Sequence, residues 1–238
     1  MTPADDVVVA LAGVTRDYRG LRPLRIAMLE IRKGERVALG GVDAIAAEAL
    51  VNLVTGAVLP DEGAVTVMGT STAAIADGDA WLVSLDRFGI VSERAVMLDG
   101  STFLQNLALP LSLEIDAIPA DVTRRVKALA AEAGLAHERL ATRAGDGTPD
   151  ERLRAQVARA LALDPDILLL EHPSASLPRG QAGRFARDLG DLIARRGITA
   201  LAITGDADFA EPFATRWLTV KPATGEVVPA KSRWRLFG

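Results

Sequence analysis

The sequence predicts an α/β fold: a mostly parallel sheet with an antiparallel β part and a helical lobe inserted into it. Three observations carry this. Two short runs, Ile167-Leu168-Leu169-Leu170 and Ile198 to Thr204, are apolar without polar alternation, as strands buried on both faces are. Strands alternate with helices along most of the chain, which implies parallel pairing. Between about residues 93 and 160 the pattern is helical, which implies a subdomain within a single domain spanning residues 1–238.

Taken in order, Val7 to Val14 reads as a strand, followed by a polar turn through Tyr18-Arg19-Gly20. Leu24 to Ile31 alternates loosely and reads as a second strand, closed by the turn Arg32-Lys33-Gly34-Glu35. Arg36-Val37-Ala38-Leu39 is a short buried strand. From Ala46 to Thr55 the apolar residues fall at helical spacing, with Gly56 placed to end the helix. Pro60 to Gly63 is a turn and Ala64 to Met68 a strand. Thr102 to about Arg143 is helical, broken by Pro110, Pro119 and Gly134. Helix resumes from about Asp150 to Leu163, and a charged helix covers Gly180 to Arg196. Trp217 to Val228 reads as a hairpin turning at Ala223-Thr224-Gly225.

Composition narrows the function. The chain is 49% hydrophobic and 24% charged, as soluble globular proteins are, and only 4% aromatic, so its core is aliphatic. A formal charge of −4 argues against a nucleic-acid binder. Without cysteine and with two histidines, His137 and His172, the chain has no thiolate or histidine-built metal site. No apolar run approaches the roughly 20 residues that cross a bilayer, and the N-terminus has no signal-peptide pattern, so a cytoplasmic protein is expected.

The stretch Ala158-Arg159-Ala160-Leu161-Ala162-Leu163-Asp164-Pro165-Asp166-Ile167-Leu168-Leu169-Leu170 resembles, almost word for word, the ATP-binding domain of ABC transporters from signature helix to Walker B strand. Val51-Asn52-Leu53-Val54-Thr55-Gly56 and Pro60-Asp61-Glu62-Gly63 match that family's first helix and the turn after it. Asn106 to Leu111 is similar to the segment after the Q-loop, in the manner of exporters of the macrolide and lipoprotein-release type. The likeness spans nearly the whole chain. It implies a P-loop NTPase fold of the ABC ATPase type, ATP and Mg²⁺ as cofactors, and a membrane permease as partner. It also implies a second ABC ATPase subunit as a possible partner, and a place at the inner face of the membrane.

The motif positions themselves are changed. A phosphate loop has the form GxxxxGK[ST], because glycines let N–H groups close on phosphates, lysine neutralises them and a hydroxyl holds Mg²⁺. Here the positions are Gly41, Val42, Asp43, Ala44, Ile45, Ala46, Ala47, Glu48 and Ala49. Ala47 replaces the lysine and Glu48 the hydroxyl, and β-branched Ile45 is ill suited to positive φ. Glu48, placed near a helix N-terminus, is expected to occupy the place of a phosphate. Glu171 stands at the Walker B position and His172 at that of the catalytic glutamate. Glu93 takes the Q-loop position and Gly205 that of the switch histidine. The signature aligns with Gly147-Thr148-Pro149-Asp150-Glu151, where Thr148 keeps a hydroxyl but also reads as a plain helix N-cap. Tyr18, the sole tyrosine, aligns with the aromatic that stacks on adenine.

The sequence therefore implies a transporter-associated ATPase homologue impaired in binding and hydrolysis. A working ATPase with divergent motifs, and a scaffold that uses the fold to bind proteins, are the alternatives.

Overall fold

Alternating aliphatic residues build the strands, and the computed structural model describes residues 6–230. The strands are β1 (Val7–Arg16), β2 (Leu24–Arg32), β3 (Arg36–Gly40), β4 (Glu62–Val67), β5 (Thr70–Ser71), β6 (Phe88–Val91), β7 (Ile167–Glu171), β8 (Thr199–Ile203), β9 (Arg216–Val220) and β10 (Val227–Pro229). The helices are α1 (Ala44–Val54), α2 (Gly78–Leu85), α3 (Phe103–Ala108), α4 (Ala120–Glu132), α5 (Pro149–Ala160), α6 (Ala182–Arg196) and α7 (Ala207–Phe213). The reading of the N-terminus as lacking a signal falls partly on residues 1–5, outside the described ones.

One sheet is antiparallel, in the order β2-β1-β4-β5. The other has six strands in the order β10-β9-β3-β8-β7-β6, parallel except for the β9–β10 hairpin. Successive residues of a strand face opposite sides. Leu168, Leu170, Ala200 and Ala202 thus enter one apolar cluster with Phe103, Leu129 and Phe185, while Ile167, Leu169, Leu201 and Ile203 enter another with Leu11, Ile26 and Leu50. The central strands are buried on both faces, as the unbroken apolar runs require.

The helix expected to begin at Ala46 begins at Ala44, because Asp43 caps it. The helical stretch from Thr102 breaks as its prolines require: α3 and α4 are separate, and His137–Ala141 forms only a 3₁₀ turn. Gly197, at φ +67°, ends α6 in a left-handed cap. Four elements had no counterpart in the sequence reading: β5, α2, β6 and α7. Helices α3, α4 and α5 pack on one another through Phe103, Leu107, Val126, Leu129, Leu153 and Val157.

Candidate functional site

The site grows from the C-terminal ends of β3, β7 and β8. Strand β3 ends at Gly40, and Gly41 turns the chain at φ +78°. A Cβ at Gly41 would lie 2.2 Å from the Val220 carbonyl oxygen, so only glycine fits. Val42 and Asp43 complete the turn. The Asp43 side chain accepts a hydrogen bond from the Ala46 amide at 2.8 Å, and its carbonyl accepts one from the Ala47 amide at 2.8 Å. Two amides of the first turn of α1, those of Ala46 and Ala47, thus find their partners in Asp43.

Two expectations for this loop need correction. Ile45 lies within α1, and Gly41 alone among residues 41–49 has positive φ, so Ile45 strains nothing. Glu48 does not reach back to the helix N-terminus. It sits one turn into the helix, and its carboxylate accepts from Arg94 Nη1 at 2.9 Å. Ala46, Ala47 and Ala49 face the core, and Ala47 is fully buried.

Glu171, the last residue of β7, is 8% exposed. It too pairs with Arg94, which donates to it from Nε at 3.3 Å and through a short second bond from Nη2. Arg94 therefore stands between Glu48 and Glu171 and bonds to both. The Glu171 hydrogen bond is the main reason its guanidinium is held firmly protonated; burial works against it, and the charges of Glu171 and Glu48 add to it. Ala44, Ile45, Glu48, Glu93, Arg94, Glu171, His172 and Ala175 line a hollow of about 280 Å³, with Glu93 at its exposed rim. His172 adopts φ +43°, uncommon outside glycine, and its amide donates to the Ile203 carbonyl at 2.9 Å. Its Nε2 is buried without a hydrogen-bond partner. Gly205 is exposed after β8, with open space where a side chain would stand. Beside it, Asp206 caps α7 and accepts from Ser174 Oγ at 2.6 Å, tying the loops after β7 and β8 together.

On the other side of Gly41 lies a larger hollow of about 570 Å³, lined by Tyr18, Arg22, Arg25, Gly41, Val42, Asp43 and Ala46 among others. Burial, and then the charge of Asp43, raise the Tyr18 phenol above its usual value. Thr148 is not part of either hollow. It caps α5 in a reciprocal box with Glu151, whose carboxylate pairs with Arg139 at 2.7 Å.

The structure thus brings together Ala44, Ile45, Glu48, Glu93, Glu171 and His172, and separately Tyr18, Gly41, Val42, Asp43 and Ala46. Ala47, Ala49, Gly205 and Thr148 line neither hollow. Sequence reasoning missed Arg94. The signal was there: replacing a lysine by Ala47 and a hydroxyl by Glu48 leaves carboxylates without a counter-ion, and an arginine directly follows Glu93. Among the described residues no group of three or more His, Asp or Glu side chains is placed to hold a metal ion.

A family profile described as ABC transporter matches residues 24–175. The chain belongs to that family as an ATP-binding domain. It is 31% identical over 182 residues to the lipoprotein-releasing system ATP-binding protein LolD of Pseudomonas syringae pv. tomato, covering 76% of this chain and 79% of that protein. It is likewise 31% identical over 229 residues to the methionine import ATP-binding protein MetN 2 of Paraburkholderia xenovorans, covering 94% of this chain and 58% of that one. A bacterial ABC transporter cassette solved as a dimer shares the fold at TM-score 0.77 and 23% identity, over 94% of this chain and 99% of that one. The fold of this ABC domain is therefore the P-loop NTPase fold of the ABC ATPase type, and no described helix is long and apolar enough to cross a membrane.

Proposed function

We propose that this ABC domain is a transporter subunit that acts with a membrane permease at the cytoplasmic face, and that it is impaired in ATP binding and hydrolysis. The observation that carries this is the Asp43 cap: the carboxylate and carbonyl of Asp43 take the Ala46 and Ala47 amides, and Ala47 has no charge to offer a phosphate. A carboxylate about 4 Å from a phosphate charge costs on the order of 4 kcal/mol at a surface-like dielectric. Mg²⁺ is held in this fold by a hydroxyl, a Walker B carboxylate and phosphate oxygens. With Glu48 and Glu171 both spoken for by Arg94, the residues present do not fit Mg²⁺-ATP.

We read the chain as one cassette with a helical subdomain at about residues 93–160. Thr148, Pro149, Asp150 and Glu151 serve to start α5, and two acids stand where a partner's phosphate would dock. Any second ABC ATPase beside this subunit would gain no signature from it, so this domain is not the silent half of a shared one-site pair. The relatives divide between a releasing and an importing system at equal identity, and we accordingly name a permease and no cargo.

The test is Mg²⁺-dependent ATP hydrolysis and ATP calorimetry on the purified chain. No turnover above a blank and binding weaker than about millimolar are expected. Turnover abolished by His172→Ala would overturn the reading in favour of a working ATPase with divergent motifs. The Tyr18 hollow is the one observation that favours that alternative.

A further inference from the structure

A link made through a bound metal and nucleotide lasts only while they are bound, because a ligand shifts an equilibrium by its differential affinity alone. The link between α1 and β7 is made differently here. Arg94 lies just beyond β6, at the start of the segment 92–101 that leads into α3. Its planar fork bonds Glu48 on α1 and Glu171 on β7 together, and a guanidinium stays charged at any physiological pH. Glu171 is buried, and a buried carboxylate is costly unless it is paired.

The rest of the segment is fixed from the helical side. Arg159 on α5 donates to the Val96 carbonyl at 2.9 Å and to the Ala95 carbonyl. Asn106, fully buried on α3, accepts from the Leu98 amide at 2.7 Å and returns a bond to the Leu98 carbonyl at 3.0 Å. Arg152 pairs with Asp99 at 2.9 Å. Each bond is internal to the chain, and none waits on a ligand.

We infer that Arg94 is a tethered stand-in for the divalent cation, which completes the site without metal or nucleotide and holds the segment leading to the helices in one arrangement. This rests on the reading of the site as impaired, and it makes Arg94 a positioning residue. With ATP binding lost, the segment 92–101 becomes a fixed strut, and a bound permease meets one unchanging surface.

The test omits nucleotide. Mn²⁺ binding is read from the electron paramagnetic resonance of the free ion, and amide exchange of residues 92–101 is followed in parallel. The proteins are the wild type, Arg94→Met, Arg94→Lys, and Arg94→Met combined with Glu171→Gln. The wild type should bind Mn²⁺ only weakly and should not change its exchange when the ion is added. In Arg94→Met the segment should exchange about tenfold faster, and Mn²⁺ should bind about tenfold more tightly than to wild type and restore protection. Adding Glu171→Gln should remove that gain. Arg94→Lys keeps the charge without the fork, so it should stay blind to Mn²⁺ yet lose protection. Equal Mn²⁺ affinity of wild type and Arg94→Met, or an undisturbed segment in Arg94→Met, would overturn the inference. If Arg94→Met does not fold, Mn²⁺ must rescue its folding, and wild-type protection in Arg94→Lys would refute the role. Hydrolysis by the wild type would sink the proposed function, whereas the metal-alone comparison decides the role of Arg94 by itself.

Discussion

Two hollows flank the turn from β3 to α1, and they differ in what fills them. On the Tyr18 side, about 570 Å³ lies open beside a half-buried ring and the backbone of Gly41 and Val42. On the Glu171 side, about 280 Å³ is crossed by Arg94, which bonds both facing carboxylates. An apolar wall asks only for shape, so it survives sequence drift easily. Charged groups left without a partner must find one inside the chain, and doing so closes the site to an outside ligand. On the reading proposed above, the Tyr18 side, where a base would lie, is the more permissive half, and the Glu171 side, where phosphates would lie, the more committed.

The largest effect should come from forcing the phosphate end back to its family form. On the sequence alone, Ala47→Lys with Glu48→Ser strengthens binding if the cradle still closes, and changes nothing if Val42, Ala44 and Ile45 have closed it off. Ala47 is fully buried, so the new lysine must burrow out of the core, and Arg94 loses one of its two carboxylates. We expect a loss of about 3 kcal/mol, or about 6 to 12 °C in Tm, by calorimetry, with no gain in ATP affinity. A stable variant with tighter ATP binding would break the comparison. Asp43→Ala should cost about 1 kcal/mol as a lost N-cap, or about 2 to 4 °C in Tm. It should also bind inorganic phosphate more tightly than the wild type, since the Ala46 amide is freed.

A finer probe sets the two hollows directly against each other. If the phosphate end contributes nothing, adenosine and ATP should bind within about threefold of one another, and Tyr18→Ala should weaken both equally. ATP binding a hundredfold more tightly than adenosine would show a working phosphate site. The smallest effect lies at Thr148, away from both hollows. Burial opposes ionisation of Glu151, but the hydrogen bonds from Arg139 and Thr148 outweigh it and hold the carboxyl below its usual value. The stability this gives is full above the unfolded carboxyl value, about 4.3, and is lost as pH falls through the lower folded value. Glu151→Gln should therefore flatten the acid limb of a pH–Tm profile and leave the neutral region little changed in slope.

The sheet could be read from the sequence because its evidence is local: Ile167-Leu168-Leu169-Leu170 has no polar partner to alternate with. Helix α7 could not, since it is short and holds Pro212, and β6 is only Phe88-Gly89-Ile90-Val91. The altered motif positions were also legible, being single letters at known spacings. Their consequences were not. Ile45 looks strained only if α1 starts at Ala46, and Arg94 leaves no local signal because its pairing joins segments 46 and 77 residues away. Side-chain pairs across such separations leave no periodic trace.

Four of the motif positions share one address. Gly41, Glu171, His172 and Gly205 all sit at or just past the C-terminal ends of β3, β7 and β8, while the strands behind them are sealed in aliphatic side chains. Folding is thereby insulated from chemistry: a letter can change at the rim without disturbing what holds the barrel-less sheet together. A lineage with this layout can abandon an activity one position at a time and still present its partners with the same solid body. Such a body is free to be kept for its outline alone.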